Sequence, residues 1–374
     1  MPHRIPLPPT GDELRAVVTS SLALTAEAVG SLDAYPGLLD PEKLVGEALL
    51  LLRATRTEAD TSEWQTLYDA TAPRARAADL APRICRDPGR ALELAFTHVQ
   101  LSDLGDRDPA VDVLLDLALA EEATGPAPYV VPELQRQWLR DVRREQPDET
   151  AWRRLLRGSS LARPIDLLRC STQDVYDLTH AVMHGTDLGL WPLTSPRDPV
   201  ELAEDLDALL GIALDAENLD LTTELLWAWP MLRLPWTAAA GVALDTVIER
   251  HARLGYLPGP GLDPTGGPDR TQVLGTSYHA TLVLGILAAA LLRAGELPTA
   301  DDGGLDATHL AVALRRASDD ADIAEVHRLL GQAVESGLTQ GRAVVQATAL
   351  LRRVTALVLQ DASAERRTIS ACTG

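Results

Sequence analysis

The chain is poor in aromatic and sulfur-containing side chains: its 374 residues include one Phe, six Tyr, seven Trp, three Met and three Cys. The cysteines, Cys85, Cys170 and Cys372, lie far apart, are odd in number and form no Cys-x-x-Cys pair. This pattern excludes a disulfide framework and a zinc ribbon, and it favours a reducing, cytoplasmic location.

Basic residues are also scarce, because 34 Lys and Arg face 54 Asp and Glu, for a formal net charge of −20. They are scattered along the chain, which argues against nucleic acid and anionic membranes as partners. The N-terminus has no secretion-signal core, and the longest apolar run, around residues 280–292, falls short of a membrane span. We therefore expect a soluble, cytoplasmic protein.

What the chain has in abundance is Leu and Ala, within an apolar fraction of 46%. This composition favours helix, and no clear strand pattern interrupts the helical periodicity. The sequence predicts an all-α fold of about 12–15 helices, either an α/α toroid-like ring or stacked helical hairpins without a residue-level repeat. Helices are predicted at about 11–30, 41–56, 62–72, 88–103, 108–123, 131–144, 149–157, 172–189, 198–215, 219–229, 235–253, 271–294, 305–317, 320–336 and 340–360.

Proline and glycine divide this helical chain. We predict a flexible N-terminal tail at residues 1–10 and a single helical domain at 11–374, with a subdivision near 124–130 where Gly and Pro cluster. A long loop is predicted at 255–270, because about a dozen residues there are too rich in Pro and Gly to be helical. That loop is interpreted as a linker or a lid.

The predicted helix at 172–189 has an unusual polar face. At 100° per residue one face carries Gln173, Tyr176, Thr179, His180, Met183, His184 and Asp187. A solvated face usually carries Lys, Arg and Glu, and this one carries none of them. The pattern therefore predicts the wall of a polar cavity inside the protein.

His180, His184 and Asp187 are spaced to converge on that face. We interpret His180 as a general acid or base held by Asp187, with Tyr176 donating a hydrogen bond and with His184 and Thr179 contacting the substrate. Two alternatives stay open: a metal ion held by both histidines and Asp187, or histidines that are merely satisfied core groups. Ala181 excludes an HExxH protease, which needs Glu at that position.

A second candidate is the segment Gly-Thr-Ser-Tyr-His-Ala-Thr at 275–281. His279 is predicted to complete the catalytic wall, and Tyr278 to bind substrate. If Thr276 or Ser277 caps a helix here, the positive helix end keeps His279 neutral. The alternative is an ordinary helix entry at a solvated end.

Two further features point to binding or reactivity. Trp227 and Trp229, close to Trp236, are predicted to bind an apolar or cationic substrate, with helix packing as the alternative. Cys170 lies just before the polar helix, where an accessible thiol would be reactive and a buried one inert. The sequence assigns no metal ligands and no cofactor.

Three short motifs resemble those of an uncharacterised family of all-helical proteins from high-GC bacteria. They are Tyr176-x-x-Thr179-His180, Thr186-Asp187-x-Gly189 and Tyr278-His279-x-Thr281. The resemblance names no reaction. It implies that these motif residues are shared for a reason and that the protein is associated with specialised metabolism.

Together these patterns lead us to expect a non-redox enzyme of the cyclase, lyase or hydrolase type, acting on a small-molecule or peptide substrate. The competing hypothesis is a helical-repeat scaffold whose acidic face recruits a basic partner. In that case the polar helix is only a buried network, in which each orphaned group costs about 1–3 kcal/mol.

Overall fold

The computed structural model describes residues 8–121, 130–295, 297 and 305–355. In these ranges the backbone forms α-helices, short 3-10 turns and one isolated bridge between Pro36 and Leu39, without a strand. The all-α class predicted from the sequence is confirmed. The finer alternatives, a toroid-like ring or stacked hairpins, stay predictions.

Seventeen α-helices have defined bounds in the described ranges, and residues 342–355 are helical as well. The helices are α1 (Gly11–Gly30), α2 (Pro41–Thr55), α3 (Thr61–Thr71), α4 (Leu80–Arg86), α5 (Ala91–Leu94), α6 (Phe96–Asp103), α7 (Pro109–Glu121), α8 (Val130–Arg144), α9 (Glu149–Leu156), α10 (Thr172–Gly185), α11 (Pro199–Asp215), α12 (Leu219–Leu226), α13 (Ala228–Leu232), α14 (Ala238–Leu254), α15 (Arg270–Ala294), α16 (Leu305–Asp319) and α17 (Ile323–Glu335).

Side-chain caps determine where α10 and α15 begin. Ser171 and Asp174 form a capping box at the start of α10, and Asp269 and Gln272 form one at the start of α15. The cap of α15 is therefore Asp269, next to the predicted helix start at 271, and the alternative in which Thr276 or Ser277 caps a helix is wrong. His279 consequently lies in the third turn, away from the positive helix end.

Some predicted helices differ from the observed ones. The helix predicted at 88–103 is divided into a 3-10 turn, α5 and α6, and the one predicted at 219–229 is divided into α12 and α13. Helix α4 was not predicted, because only Leu80 and Ile84 of its seven residues are buried, too few for a periodic pattern.

Helix α15 occupies the centre of the fold. It packs on α1, α2, α12 and α13, and its residues from Ala280 to Leu291 are buried all around the helix. Its contact with α1 is close: the Ser21 hydroxyl donates to the Thr281 carbonyl at 2.8 Å, and a Cβ on Gly285 would lie 2.6 Å from the Ser21 Cβ. Glycine at 285 therefore allows the two backbones to approach.

One described helix, α15, is long and apolar enough to cross a membrane, with a mean hydropathy of 1.5 over 18 residues. The expectation that no segment reaches that length is wrong on this point. However, 83% of that window is buried inside the protein. Such a high buried fraction is typical of the central helix of a soluble protein.

The chain between α14 and α15 contains only a 3-10 turn at Pro264–Gly266. Its first part is tied to α15, because the Leu257 amide donates to the Thr281 hydroxyl at 2.9 Å and the Gly259 amide to the Ser277 hydroxyl at 3.1 Å. The predicted subdivision near 124–130 and tail at 1–10 lie mostly outside the described residues.

Four helices bring polar residues together in this framework. Helix α12 packs between α10 and α15, and α2 packs on another side of α15. Residues at the same level along α2, α10, α12 and α15 can therefore meet, although α2 and α15 are more than 200 residues apart in the chain.

Candidate functional site

The predicted polar face of α10 exists, but it is shorter than expected. The rings of Tyr176, His180 and His184 follow one another along the helix, with 6.1 Å between the centroids of each adjacent pair. The helix ends at Gly185, where the Thr186 hydroxyl donates back to the Val182 carbonyl. Asp187 is therefore beyond the helix.

Asp187 does not hold His180, and this part of the sequence interpretation is wrong. After the helix ends, the backbone turns left-handed with φ of 48° at Asp187. Its Oδ1 accepts from Arg53 Nε at 2.8 Å and from Trp138 Nε1 at 2.7 Å, and its Oδ2 accepts from Arg53 Nη2 at 2.6 Å. Arg53 also pairs with Asp103. Asp187 thus belongs to a buried ion-pair network.

A different set of titratable side chains converges where α2, α12 and α15 meet. His279 Nε2 lies 3.6 Å from Asp220 Oδ1 and 3.8 Å from Glu224 Oε1, and His279 Nδ1 lies 3.2 Å from Glu47 Oε1. Asp220 and Glu224 are one turn apart on α12 and so face the same way. We call Glu47, Asp220, Glu224 and His279 the carboxylate–histidine cluster.

Two predicted residues of α10 hold this cluster from the other side. The Tyr176 hydroxyl donates to Asp220 Oδ2 at 3.0 Å, and the Thr179 hydroxyl donates to Glu224 Oε2 at 2.6 Å. Each hydroxyl therefore donates to the carboxylate oxygen farther from His279, and the nearer oxygen of the same carboxylate faces His279. Tyr278 lies beside the cluster as well, and burial together with the charge of Glu47 raises the pKa of its phenol.

The cluster is buried at its base and reaches solvent at His279. The side chains of Asp220 and Glu224 are 5% and 2% exposed, whereas that of His279 is 27% exposed. Lys43 lies at the rim, 3.6 Å from Glu47. A ligand can therefore approach from the side of His279 and Lys43.

Burial and mutual charge shift the pKa values in the cluster. Burial, together with the charge of Glu224, raises the pKa of Asp220, although the charge of His279 opposes this shift. Burial disfavours the imidazolium of His279, but contacts with Glu224 and Glu47 and the charge of Asp220 outweigh it and raise the pKa of His279. The prediction that His279 is kept neutral by a helix end is wrong, because no helix begins there.

His184 lies outside the cluster. It is 4% exposed, and its ring centroid lies 5.3 Å from that of Trp138. Burial lowers the pKa of His184 to about 3, so its imidazole is neutral at neutral pH. His180, half-buried, lies between Tyr176 and His184 and is the histidine of α10 nearer to the cluster.

The predicted tryptophan rim is part of the core. Trp227 is 2% exposed and donates to the Val283 carbonyl at 3.2 Å, while Trp229 is 1% exposed and stacks on Trp236. Neither ring faces a substrate, so packing is their role. Cys170 is buried 3.6 Å from Arg315 Nη1, and burial raises the pKa of its thiol, which makes it unreactive.

Four cavities of about 550, 620, 710 and 820 Å³ open at the surface of the described residues. Tyr176, Asp220 and His279 line none of these four. The 820 Å³ cavity lies beside the first turns of α10, at Gln173 and Asp177, but none of the four is the enclosed hollow predicted at Tyr176, His180 and Asp187. The cluster reaches solvent at His279.

The sequence interpretation missed Glu47, Asp220, Glu224 and Arg53. A usable signal existed for two of them, because Asp220 and Glu224 are four residues apart in a segment otherwise made of Leu, Thr and Trp. Acidic side chains at helical spacing in such a segment are buried together, and buried carboxylates need partners. Glu47 and Arg53 carry no comparable signal, since Glu47 has the spacing of an ordinary surface pair with Lys43, and Arg53 has no acidic residue three or four positions away.

Comparison with known proteins places the chain in a family. A family described as a domain of unknown function, DUF6895, matches residues 19–289, more than half of the chain and all of the cluster. No curated protein and no solved structure matches. The resemblance to an uncharacterised helical family is confirmed. The chain belongs to the family described as a domain of unknown function, DUF6895.

Proposed function

We propose that the protein is a non-redox enzyme of specialised metabolism, of the cyclase, lyase or hydrolase type, that works in the cytoplasm at the carboxylate–histidine cluster. Its substrate is a small molecule or peptide that approaches from the side of His279. Tyr176 and Thr179 position the two buried carboxylates. His180, which the sequence analysis assigned as the acid or base, lies next to this site and is not part of it.

The observation that carries this proposal is the convergence of three carboxylates on one imidazole. Asp220 Oδ1 and Glu47 Oε2 are buried without hydrogen-bond partners, which costs about 1–3 kcal/mol for each group. A fold that keeps such carboxylates buried around one imidazole is typical of a functional site. Carboxylates, imidazole and phenol stabilise charge and move protons, the chemistry of hydrolysis, elimination and cyclisation.

The proposal is tested by exposing a metabolite extract of the source organism to purified protein and comparing masses before and after. The wild type is expected to deplete a compound and form a product that differs by gain of water, loss of water or no mass change. Glu224→Gln is expected to abolish the conversion, because Glu224 faces His279. Glu325→Gln, on an exposed surface of α17, makes the same charge change and should behave like the wild type.

Each result bears on the proposal. Conversion that depends on Glu224 supports it, and the mass change identifies the reaction class. An extract left unchanged by the wild type overturns it, as does conversion at the same rate by Glu224→Gln.

The scaffold hypothesis is the second candidate, and one observation favours it. None of the four cavities described above is lined by Tyr176, Asp220 or His279. In a scaffold the cluster is a buried network that stabilises the helix packing. Glu224→Gln would then lower the free energy of unfolding without changing any metabolite.

A further inference from the structure

We infer that Asp220, Glu224 and His279 bind a divalent metal ion, with Zn²⁺ as the ion best suited to the ligand set. One oxygen or nitrogen from each side chain lies within 4.8 Å of the others. The inference deepens the proposed function and rests on it for a catalytic role, although metal affinity is measured without any substrate.

The distances from His279 to the two carboxylates are slightly longer than the distances between ligand atoms in a zinc site. Zinc binds imidazole nitrogen and carboxylate oxygen at about 2.0–2.2 Å, which places tetrahedral ligand atoms about 3.4 Å apart. His279 Nε2 lies 3.6 Å from Asp220 Oδ1 and 3.8 Å from Glu224 Oε1. These two distances need to shorten by only a few tenths of an ångström, and the two carboxylate oxygens lie within 4.8 Å of each other.

In each proposed ligand, the side-chain polar atom that points away from the metal position faces another side chain. Tyr176 donates to Asp220 Oδ2, and Thr179 donates to Glu224 Oε2. Glu47 Oε1 lies 3.2 Å from His279 Nδ1, an ion-pair contact without hydrogen-bond geometry. Metal-ligating histidines and carboxylates are oriented in this way by outer partners, and a carboxylate behind a histidine is a recurring arrangement.

One of the three atoms that face the metal position, Asp220 Oδ1, lacks a hydrogen-bond partner. The Asp220 side chain is 5% exposed, and its Oδ1 has no hydrogen-bond partner although it points at His279. A buried carboxylate oxygen without a donor is costly, and a cation in front of it removes that cost. This atom is the independent indication that the acidic cluster holds a ligand.

The number of proposed protein ligands, three, is typical of a catalytic zinc site. Three protein ligands leave a fourth zinc position for water or substrate, as in catalytic zinc sites, whereas structural sites are closed by four. The open position would face solvent on the side of His279. When bound there, the ion would act as a Lewis acid toward a substrate oxygen or lower the pKa of a bound water.

The test uses the tag-free full chain, stripped with EDTA and titrated with ZnCl₂ by calorimetry. One zinc site per chain is expected. Asp220→Asn and Glu224→Gln, which keep shape and remove charge, should each weaken zinc affinity roughly tenfold or more. Glu325→Gln should bind like the wild type. Circular dichroism in EDTA shows which variants are folded, and the comparison uses those.

The possible outcomes distinguish the metal-binding inference from the proposed function. Absence of zinc binding, or equal affinity in the wild type and both folded ligand variants, overturns the inference. If turnover still depends on Glu224 in that case, the cluster acts without a zinc ion and the proposed function stands. If zinc binds through these residues but no metabolite is converted, the inference stands as a structural metal site and the proposed function fails.

Discussion

The ion pair of Asp187 with Arg53 provides the sharpest test of the fold, because the sequence assigned Asp187 to catalysis. Asp187 is completely buried, the Arg53 side chain is 5% exposed, and three hydrogen bonds end on the carboxylate. Asp187→Asn removes the charge and turns an amide group toward an arginine that can only donate. We expect the variant to remain folded but markedly less stable.

The magnitude follows from the burial of the pair. Removing one partner of a buried ion pair costs about 3–5 kcal/mol, because the other charge stays buried and uncompensated. Arg53 keeps Asp103 as a partner, so we expect the lower end, about 3 kcal/mol. The control is Asp116→Asn, which breaks a 2.7 Å pair with Arg143 at a site 69% exposed, where about 0–1 kcal/mol is expected.

The assay is equilibrium unfolding in urea at pH 7, followed by circular dichroism for wild type, Asp187→Asn and Asp116→Asn. A structural Asp187 predicts a large stability loss together with unchanged zinc affinity, since its carboxylate is outside the cluster. A loss no greater than that of Asp116→Asn would falsify this reasoning. So would a stable variant with reduced zinc affinity.

Three further predictions concern separate parts of the molecule. Burial lowers the pKa of His184 to about 3 from 6.5, so its contribution to stability is complete above pH 6.5 and is lost as the pH falls toward 3. Between pH 7 and pH 5 the wild type should lose about 2 kcal/mol more than His184→Leu, and equal losses in urea unfolding contradict this. Tyr176→Phe should weaken zinc binding about tenfold by freeing Asp220 Oδ2, as measured by calorimetry, and unchanged affinity contradicts an outer role. Gly285→Ala should lower the free energy of unfolding by about 1–3 kcal/mol, because its Cβ meets α1. Gly331→Ala, with open space around it in α17, should instead stabilise the protein by about 0.5–1 kcal/mol. Thermal unfolding compares the two variants, and equal effects are inconsistent with the close contact at Gly285.

The residues of α10 show how far sequence reasoning reaches. Helical periodicity correctly placed Tyr176, Thr179, His180 and His184 on one face, because side-chain direction in a helix depends only on local spacing. It failed at Asp187, since the end of α10 is determined by left-handed backbone at Asp187 and by its bond to Arg53, far away in the chain. The same periodicity cannot say which face meets solvent.

His279 shows the corresponding limit for electrostatics. Its predicted neutrality followed from an assumed helix start nearby, whereas Asp269 begins α15 earlier. The charge on this histidine depends on Glu47, Asp220 and Glu224, which other helices supply. A pKa depends on distances in space, and those distances are set by packing.

Leucine- and alanine-rich composition, capping residues and regular spacing were enough to establish an all-helical chain and the course of most of its helices, since these preferences act within a few residues. Packing of α2 and α12 on α15, and of α10 on α12, decided which polar side chains meet. That packing joins residues separated by tens to hundreds of positions, and no local pattern records such a separation. The carboxylate–histidine cluster therefore exists only in the folded protein.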